Sequence, residues 1–258
     1  MSEQSWPSAI SEIGPNLIRL RGYPVEELMG TLGFAEAIHL ALLGELPDRA
    51  TATILDAIFV SSLDHGTTPP SVLAARTVAS TGAPLGSAVA AGFLAISKYH
   101  GGAIEDCMKT LEHAIAHAEK KNSTFVDAAA TVVDAFKAKG QRISGFGHRL
   151  HTKDPRTTRL LALSDELGKS GHGVKMARAF VEVLAKSGTP LPLNVDGAIA
   201  AVLLDLKVPH TLANAFFMIA RLPGLVAQAH EEQTRHKPMR TIDPKVATYD
   251  GPPLRHST

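Results

Sequence analysis

Four histidines of this chain stand directly beside glycine; His172 carries no further signal, and the other three suit acid–base chemistry on a small ligand. They are His65 before Gly66, His100 before Gly101-Gly102, and His148 after Gly145-Phe146-Gly147. Glycine lets the backbone approach a ligand closely, and successive N–H groups in such turns can bind an anion. One glycine–histidine pair is usually only a turn, so these residues predict a site only in combination.

A carboxylate that could join them lies in the segment Asn194-Val195-Asp196-Gly197. Asp196 precedes an apolar run, and the simplest interpretation makes it the N-cap of a helix. The alternative is a carboxylate at the edge of a dry pocket, where it can accept or donate a proton. The sequence leaves both interpretations open.

A different pair, His113 and His117, has the spacing of two metal ligands on one helix face. No Glu or Cys nearby completes such a site. A solvated helix face is therefore the better interpretation, and we predict no metal site in this protein.

The elements that must position these residues are predicted to be helices. Alanine is abundant, aromatic residues make up only 5% of the chain, and the alternating pattern of strands is nearly absent. We expect roughly ten helices between an irregular arm over residues 1–16 and an irregular tail from Pro238. The helices are predicted to begin near Pro24 and to cover 34–43, 50–63 (capped by Asp48), 71–80, 85–98, 103–120, 125–138, 159–167, 175–187, 198–206, 212–220 and 225–235.

Composition excludes several classes of protein. The chain has 26 Lys and Arg against 25 Asp and Glu, so it lacks the basic stripe of a nucleic-acid binder. The single cysteine, Cys107, fits a reducing compartment. The N-terminal segment has no apolar signal core, and the apolar stretch 86–96 is too short to cross a bilayer. We expect a cytoplasmic protein that binds neither nucleic acid nor membrane.

A series of short motifs over about residues 17–241 resembles the citrate synthase superfamily. In the family's order these are Arg19–Leu28, Gly44-Glu45-Leu46-Pro47, Asp64-His65, His100-Gly101-Gly102-Ala103, Gly145-Phe146-Gly147-His148-Arg149, Asp154-Pro155-Arg156, Asn194-Val195-Asp196, Arg221-x-x-Gly224 and Ala229-His230 through Gln233 to Arg240. Agreement of many independent motifs in order is more specific than any one of them. The resemblance implies an all-α, citrate synthase-like fold, with residues 1–258 as a single unit and a smaller helical subdomain within about 105–220.

Departures from full citrate synthases resemble the citryl-CoA lyases and the C-terminal lyase module of ATP-citrate lyase. Only residues 48–63 fill an interval where synthases carry a long helical insertion. Gly66 stands where synthases usually have Glu, and one residue fewer separates His148 from Asp154. The ATP-citrate lyase module lacks the histidine before Gly-Gly-Ala, which this chain retains as His100.

The resemblance implies cleavage of citryl-CoA to acetyl-CoA and oxaloacetate by three acid–base groups. His100 is expected to donate a hydrogen bond to the thioester oxygen. Asp196 is expected to move the proton of the thioester's α-carbon, and His148 to exchange a proton with the oxygen at C3.

It also implies how the substrate is held. Arginines suit bidentate binding of carboxylates. The expected carboxylate ligands are Arg156, Arg221 and Arg240, with His65 and Asn194. Arg240 is expected to come from a neighbouring subunit of a homo-oligomer. The expected CoA site comprises Ile143, Gly145, Phe146 and Gly147, with Arg149 and Lys153 contacting the phosphates. No tightly bound cofactor is expected, because the CoA thioester is a substrate and the partners are small molecules.

Two alternatives stay open. One is a short citrate or 2-methylcitrate synthase, which differs by hydrolysing the citryl thioester and needs a positioned water to do so. The other is an inactive CoA-binding partner subunit. Usable side chains at His100, His148 and Asp196 argue against the inactive subunit.

Overall fold

The computed structural model describes residues 6–147, 153–187 and 191–256. Over these ranges the chain forms eleven helices and one small sheet, so the predicted helical fold class is confirmed. The helices are α1 (Val25–Leu28), α2 (Phe34–Leu43), α3 (Arg49–Ser62), α4 (Pro70–Ala79), α5 (Leu85–Leu94), α6 (Ala103–Lys121), α7 (Phe125–Ala138), α8 (Pro155–Glu166), α9 (His172–Lys186), α10 (Val195–Asp205) and α11 (His210–Arg235).

The N-terminal arm is where the sequence prediction was wrong about structure type. Strands β1 (Ser11–Gly14), β2 (Leu17–Leu20) and β3 (Tyr23–Pro24) form an antiparallel sheet in that order. Asn16, at φ 57°, supplies the left-handed residue of the turn between β1 and β2. The strands are too short to show the alternation by which strands are recognised.

Several helix ends were predicted wrongly for identifiable reasons. α5 ends at Leu94 rather than near 98, because Ser97 and His100 exchange backbone hydrogen bonds of 2.8 Å in a tight turn. α8 begins at Pro155 rather than 159. The two segments expected over 212–220 and 225–235 are one helix, α11, which contains Pro223. The predicted cap of α3 is confirmed, since Asp48 accepts a 2.8 Å hydrogen bond from the Thr51 N–H.

A carboxylate from another helix explains where α9 begins. Asp205, at the end of α10, accepts hydrogen bonds from the N–H groups of Gly171, Gly173 and Val174, at 2.7, 2.7 and 3.0 Å. These are orphan donors of the first turn of α9, and a carboxylate also suits the positive end of the helix. α9 therefore begins at His172, three residues before the predicted start at residue 175.

The chain divides into two compact units, one of residues 1–64 with 96–223 and the other of residues 65–95 with 224–258. The core of the first unit includes fully buried side chains from α6, α9 and α10. They are Ile104, Met108, Leu111, Met176, Phe180, Ile199 and Leu203. Residues 105–220 fall within this unit, and their separation as a small subdomain stays a prediction.

The second unit is built on close contact between α4 and α5. A Cβ atom on Gly92 of α5 would lie 2.8 Å from the carbonyl oxygen of Ser71 on α4, so only glycine permits this approach. Val72, Ala75 and Leu225 form one buried cluster. Ala79, Ala88 and Ala229 form another.

One helix in the described ranges, α11, is long and apolar enough to cross a membrane, with a mean hydropathy of 1.3 over its most apolar window and 44% of that window buried. Core helices of soluble proteins pass the same test. This length was not predicted, because Pro223 divides the apolar pattern of α11 into two shorter segments.

Candidate active site

Asn194, and not Asp196, caps helix α10. The Asn194 Oδ1 accepts a 3.0 Å hydrogen bond from the Gly197 N–H, and its Nδ2 donates at 2.9 Å to the Gly147 carbonyl. The interpretation of Asp196 as the cap is therefore wrong. Both polar atoms of the Asn194 side chain are used within the protein, and substrate binding by Asn194 stays a prediction.

The glycine-rich turn 143–147 is held against the start of α10. The Asn194 N–H donates to the Gly145 carbonyl at 3.0 Å, and the Gly147 N–H donates to Pro192 at 2.7 Å. Gly145 has φ +86°, and a Cβ atom there would lie 2.5 Å from the Cys107 sulfur and 2.8 Å from the Gly197 Cα. Glycine is thus required, and buried Cys107 fills the space beneath the turn.

The predicted CoA residues of this turn differ in what they present. Ile143 and Phe146 are buried, and the Phe146 ring packs against Phe180 with centroids 5.4 Å apart. Their side chains face the protein, so a ligand would meet the backbone of Gly145 and Gly147. CoA binding by this turn stays a prediction.

The carboxyl group of Asp196 is surrounded by protein atoms, although the residue as a whole is half-buried. Burial raises its pKa, nearby Arg156 and Arg221 oppose that rise, and Asp154 adds to it. A carboxyl group with a raised pKa retains its proton at higher pH than an ordinary aspartate. Perturbed carboxyl groups beside arginines are a frequent mark of functional sites.

Arg221, on α11, is 3% exposed and its contacts are incomplete. Its Nε donates at 2.9 Å to the Ser62 carbonyl, and its guanidinium lies over the Phe217 ring, 4.9 Å from the centroid. Its Nη1 has no hydrogen-bond partner within the part of the chain that the structure describes. Burial lowers the pKa of Arg221, while Asp64 and Asp196 oppose the shift. A buried unpaired donor is costly, so it indicates a position for a ligand acceptor.

His100 lies close to Arg221 through a shared neighbour. The His100 ring meets the Phe217 ring edge-on, with centroids 5.8 Å apart. A Cβ atom on Gly101 would lie 2.9 Å from carbons of the same ring. Sequence reasoning missed Phe217, although its position four residues before Arg221 on one helix face could have shown it.

Arg156 lies in the first turn of α8 and is held by the residue that caps the helix. Asp154 accepts hydrogen bonds from the Arg156 Nε at 3.1 Å and from its Nη2 at 2.8 Å. The Arg156 Nη1 donates to the Ser61 carbonyl at 3.3 Å. This bidentate pairing fixes the guanidinium beside Asp196.

The other predicted residues belong to the second unit, lie in an exposed segment, or fall outside the residues that the structure describes. His65 and Arg240 belong to the second unit and are exposed. The Arg240 Nε lies 2.6 Å from the Glu232 Oε1. Lys153 lies in an exposed bend, and His148 and Arg149 fall outside the described residues.

The first unit therefore brings together four of the predicted residues, His100, Arg156, Asp196 and Arg221, on the evidence of shared neighbours and mutual charge effects. Among the described residues no group of three His, Cys, Asp or Glu could hold a metal ion. The arrangement offers a carboxyl group with a raised pKa, a histidine and two arginines, which suits proton transfer on an anionic substrate.

Comparison with known proteins identifies the family. Residues 47–242 match the family described as citrate synthase, C-terminal domain. The chain therefore belongs to the citrate synthase family. Citrate synthase of Haloferax volcanii is 30% identical over 236 residues, which cover 90% of this chain and 59% of that protein. The chain thus spans about three fifths of the length of this curated relative.

Two solved structures differ in how much of their own length matches this chain. Citryl-CoA lyase from Hydrogenobacter thermophilus matches with a TM-score of 0.90 and 37% identity, covering 99% of this chain and 98% of that one. Citrate synthase from Pyrobaculum aerophilum matches with a TM-score of 0.65 and 25% identity, covering 87% of this chain but 56% of the synthase.

Proposed function

We propose that this protein is a citryl-CoA lyase, which cleaves citryl-CoA to acetyl-CoA and oxaloacetate. The observation that carries the proposal is the match with the Hydrogenobacter thermophilus lyase over nearly the full length of both chains. The synthase from Pyrobaculum aerophilum has a large part with no counterpart here. The residues of the candidate site fit this reaction.

Asp196 acts as the acid in the cleavage direction. When the bond between the α-carbon and C3 of citryl-CoA breaks, its electrons form the enolate of acetyl-CoA, and that α-carbon must then take a proton. The raised pKa of Asp196 favours the protonated carboxyl group that this step needs. Arg156 and Arg221 stabilise the carboxylate that remains.

His100 donates a hydrogen bond to the thioester oxygen as negative charge develops there. Its backbone is fixed by the paired Ser97 turn, and its ring by Phe217. His148 removes the proton of the C3 hydroxyl, so that this oxygen becomes the carbonyl of oxaloacetate. The atoms balance, since one proton leaves the hydroxyl and another reaches the α-carbon.

The carboxylates of the substrate bind the arginines. The unpartnered Nη1 of Arg221 gains an acceptor when a carboxylate binds. Arg156 is oriented by Asp154, with His65 and Asn194 as further ligands. CoA lies along the backbone of 143–147, with Arg149 and Lys153 at its phosphates.

The protein acts as a homo-oligomer in which Arg240 serves a neighbouring subunit. The sequence of α5, Leu85–Leu94, contains no charged residue, yet only Ala88 and Gly92 of this helix are buried. Leu85 and Leu94 at its two ends are exposed, and exposed apolar side chains on such a helix are typical of an interface. Sedimentation analysis of the purified protein tests this, and a fully active monomer would contradict it.

Parallel assays of oxaloacetate and free thiol, on purified protein given citryl-CoA, test the activity. Oxaloacetate without free CoA supports the lyase. Free CoA without oxaloacetate means thioester hydrolysis and favours the alternative, a short citrate or 2-methylcitrate synthase. An intact protein that binds CoA and gives neither product is an inactive partner subunit.

A further inference from the structure

The second unit contains a buried cluster of charges that the proposed chemistry does not use. Arg76, on α4, and Glu232, on α11, are 3% and 1% exposed. The Arg76 Nε donates to the Glu232 Oε2 at 2.8 Å. Burying an ion pair carries a large desolvation penalty, so such pairs often serve to fix geometry.

Arg76 is held on three sides. In addition to Glu232, its Nη1 donates to the Gln228 Oε1, and its Nη2 lies 3.5 Å from the Glu231 Oε1. All of its partners lie on one helix, α11, and the guanidinium therefore has a single favoured orientation. Arg76 is too buried to meet a substrate itself.

Glu232 also contacts the segment of chain that follows α11, through Arg240. Its second oxygen, Oε1, forms an ion pair with Arg240, 2.6 Å from the Nε, without the angle of a hydrogen bond. The backbone N–H of Arg240 also donates to the Ser80 Oγ at 3.1 Å. Burial raises the pKa of Glu232, but Arg240 and Arg76 outweigh it and the pKa is lowered, so the carboxylate is charged at neutral pH.

Arg240 remains 44% exposed in its side chain. Its described contacts involve Nε and the backbone N–H, and within the described ranges Nη1 and Nη2 have no hydrogen-bond or ion-pair partner. Guanidinium groups bind carboxylates best through a pair of parallel N–H groups. Holding Arg240 by Nε leaves its outer pair of N–H groups for such a ligand.

We propose that Glu232, fixed by Arg76, is a positioning residue that orients Arg240 toward a carboxylate of the substrate. This inference rests on the proposed function, in which Arg240 binds the substrate. Glu232 touches no substrate and acts only through Arg240. Its loss should therefore weaken substrate binding and leave the chemical step intact.

The test compares Glu232→Gln with Glu231→Gln in the full-length oligomer, with oxaloacetate release from citryl-CoA as the readout. Glutamine keeps the shape of the side chain and an acceptor for Arg76 but loses the charge that orients Arg240. We expect KM to rise about tenfold and kcat to stay within about threefold. Glu231→Gln is the matched control, because it removes the charge of another Arg76 partner without touching Arg240, and it should change KM less than about twofold.

A double-mutant cycle separates positioning from general stability. Arg240→Lys should raise KM at least as much as Glu232→Gln, and the two changes together should raise it no further than Arg240→Lys alone. Where Glu232→Gln folds poorly, Arg76→Met with Glu232→Met removes both buried charges and should show the same rise in KM.

The outcomes are distinguishable. An unchanged KM in Glu232→Gln, or additive effects in the cycle, overturns the positioning role while the lyase activity stands. An unchanged KM in Arg240→Lys removes Arg240 from the substrate site, and the proposal with it. A wild-type protein that neither cleaves citryl-CoA nor condenses acetyl-CoA with oxaloacetate overturns the proposed function, and this inference falls with it.

Discussion

Each unit of this molecule buries an arginine, and the two arginines differ in what surrounds them. Arg76, in the second unit, contacts Glu231 and Glu232 and donates to Gln228. Arg221, in the first unit, has a backbone carbonyl, an aromatic face and an Nη1 without an acceptor in the described part of the chain. Both are 3% exposed.

The difference shows that burial alone does not reveal whether an arginine is fully paired within the protein. A fully paired guanidinium contributes to stability, and breaking its pairing leaves a buried charge behind. An incompletely paired one keeps hydrogen-bonding capacity for a ligand. The carboxyl groups follow the same division, since the pKa is lowered for Glu232 and raised for Asp196.

The largest expected effect is the loss of activity when Asp196, in the cluster that contains Arg221, is changed. Asp196→Asn should lower kcat by about 10³-fold, because the amide cannot deliver a proton to the enolate. The measurement is steady-state oxaloacetate release from citryl-CoA. Asp205→Asn is the control on the same helix, since it weakens the cap of α9 and should lower Tm without a comparable loss of kcat. Near-full activity of Asp196→Asn would contradict the mechanism.

The next largest effect is on the stability that the pairing of Arg76 with Glu232 provides. Arg76→Met should lower the free energy of unfolding by about 3 to 5 kcal/mol, because Glu232 stays buried with one partner fewer. Urea unfolding followed by circular dichroism measures this. Arg76→Met with Glu232→Met should recover most of the loss. A loss below about 1 kcal/mol in the single variant would show that the pairing of Arg76 with Glu232 contributes little to stability.

In contrast to Arg76→Met, Arg221→Met should lower activity far more than stability. We expect kcat/KM to fall about 100-fold, because a substrate carboxylate loses a charged donor, while the free energy of unfolding falls by only about 1 kcal/mol with the lost bond to Ser62. Kinetics and urea unfolding on one preparation give both values. A stability loss as large as that of Arg76→Met would remove the distinction between the two arginines.

The smallest effects concern the dependence of Tm on pH. Glu232 has a lowered pKa, so its stabilisation is present above the ordinary glutamate value and is lost as pH falls through the folded pKa. Asp196 has a raised pKa, so its ionisation destabilises the fold as pH rises. Glu232→Gln should flatten the acid side of the Tm profile, and Asp196→Asn should raise Tm at neutral pH. Profiles that match wild type in both variants would refute this.

Much of the site was predictable because its signals are local. The helical class follows from composition, and the residues that meet in the first unit stand in short motifs with glycine, proline or aspartate beside them. Asp154-Pro155-Arg156 shows this, since the same carboxylate that caps α8 also orients Arg156. The roles themselves came from the resemblance to a family, and all of them stay predictions.

What could not be predicted depends on partners far apart in the chain. Arg76 and Glu232 are separated by 156 residues and Asp205 from Gly171 by 34, so no local pattern shows that they pair. Phe217 carried no motif, and its contacts with His100 and Arg221 appear only when α11 packs beside the Ser97 turn.

The sequence by itself determined that the chain is helical, where its chemical side chains lie and which family its motifs resemble, because propensity, capping and motif order are read over a few residues. Only the tertiary structure decided that Asn194, and not Asp196, caps α10, and which buried arginine keeps an unpaired donor. Those outcomes depend on burial and on distant hydrogen-bond partners, and both exist only in the folded chain.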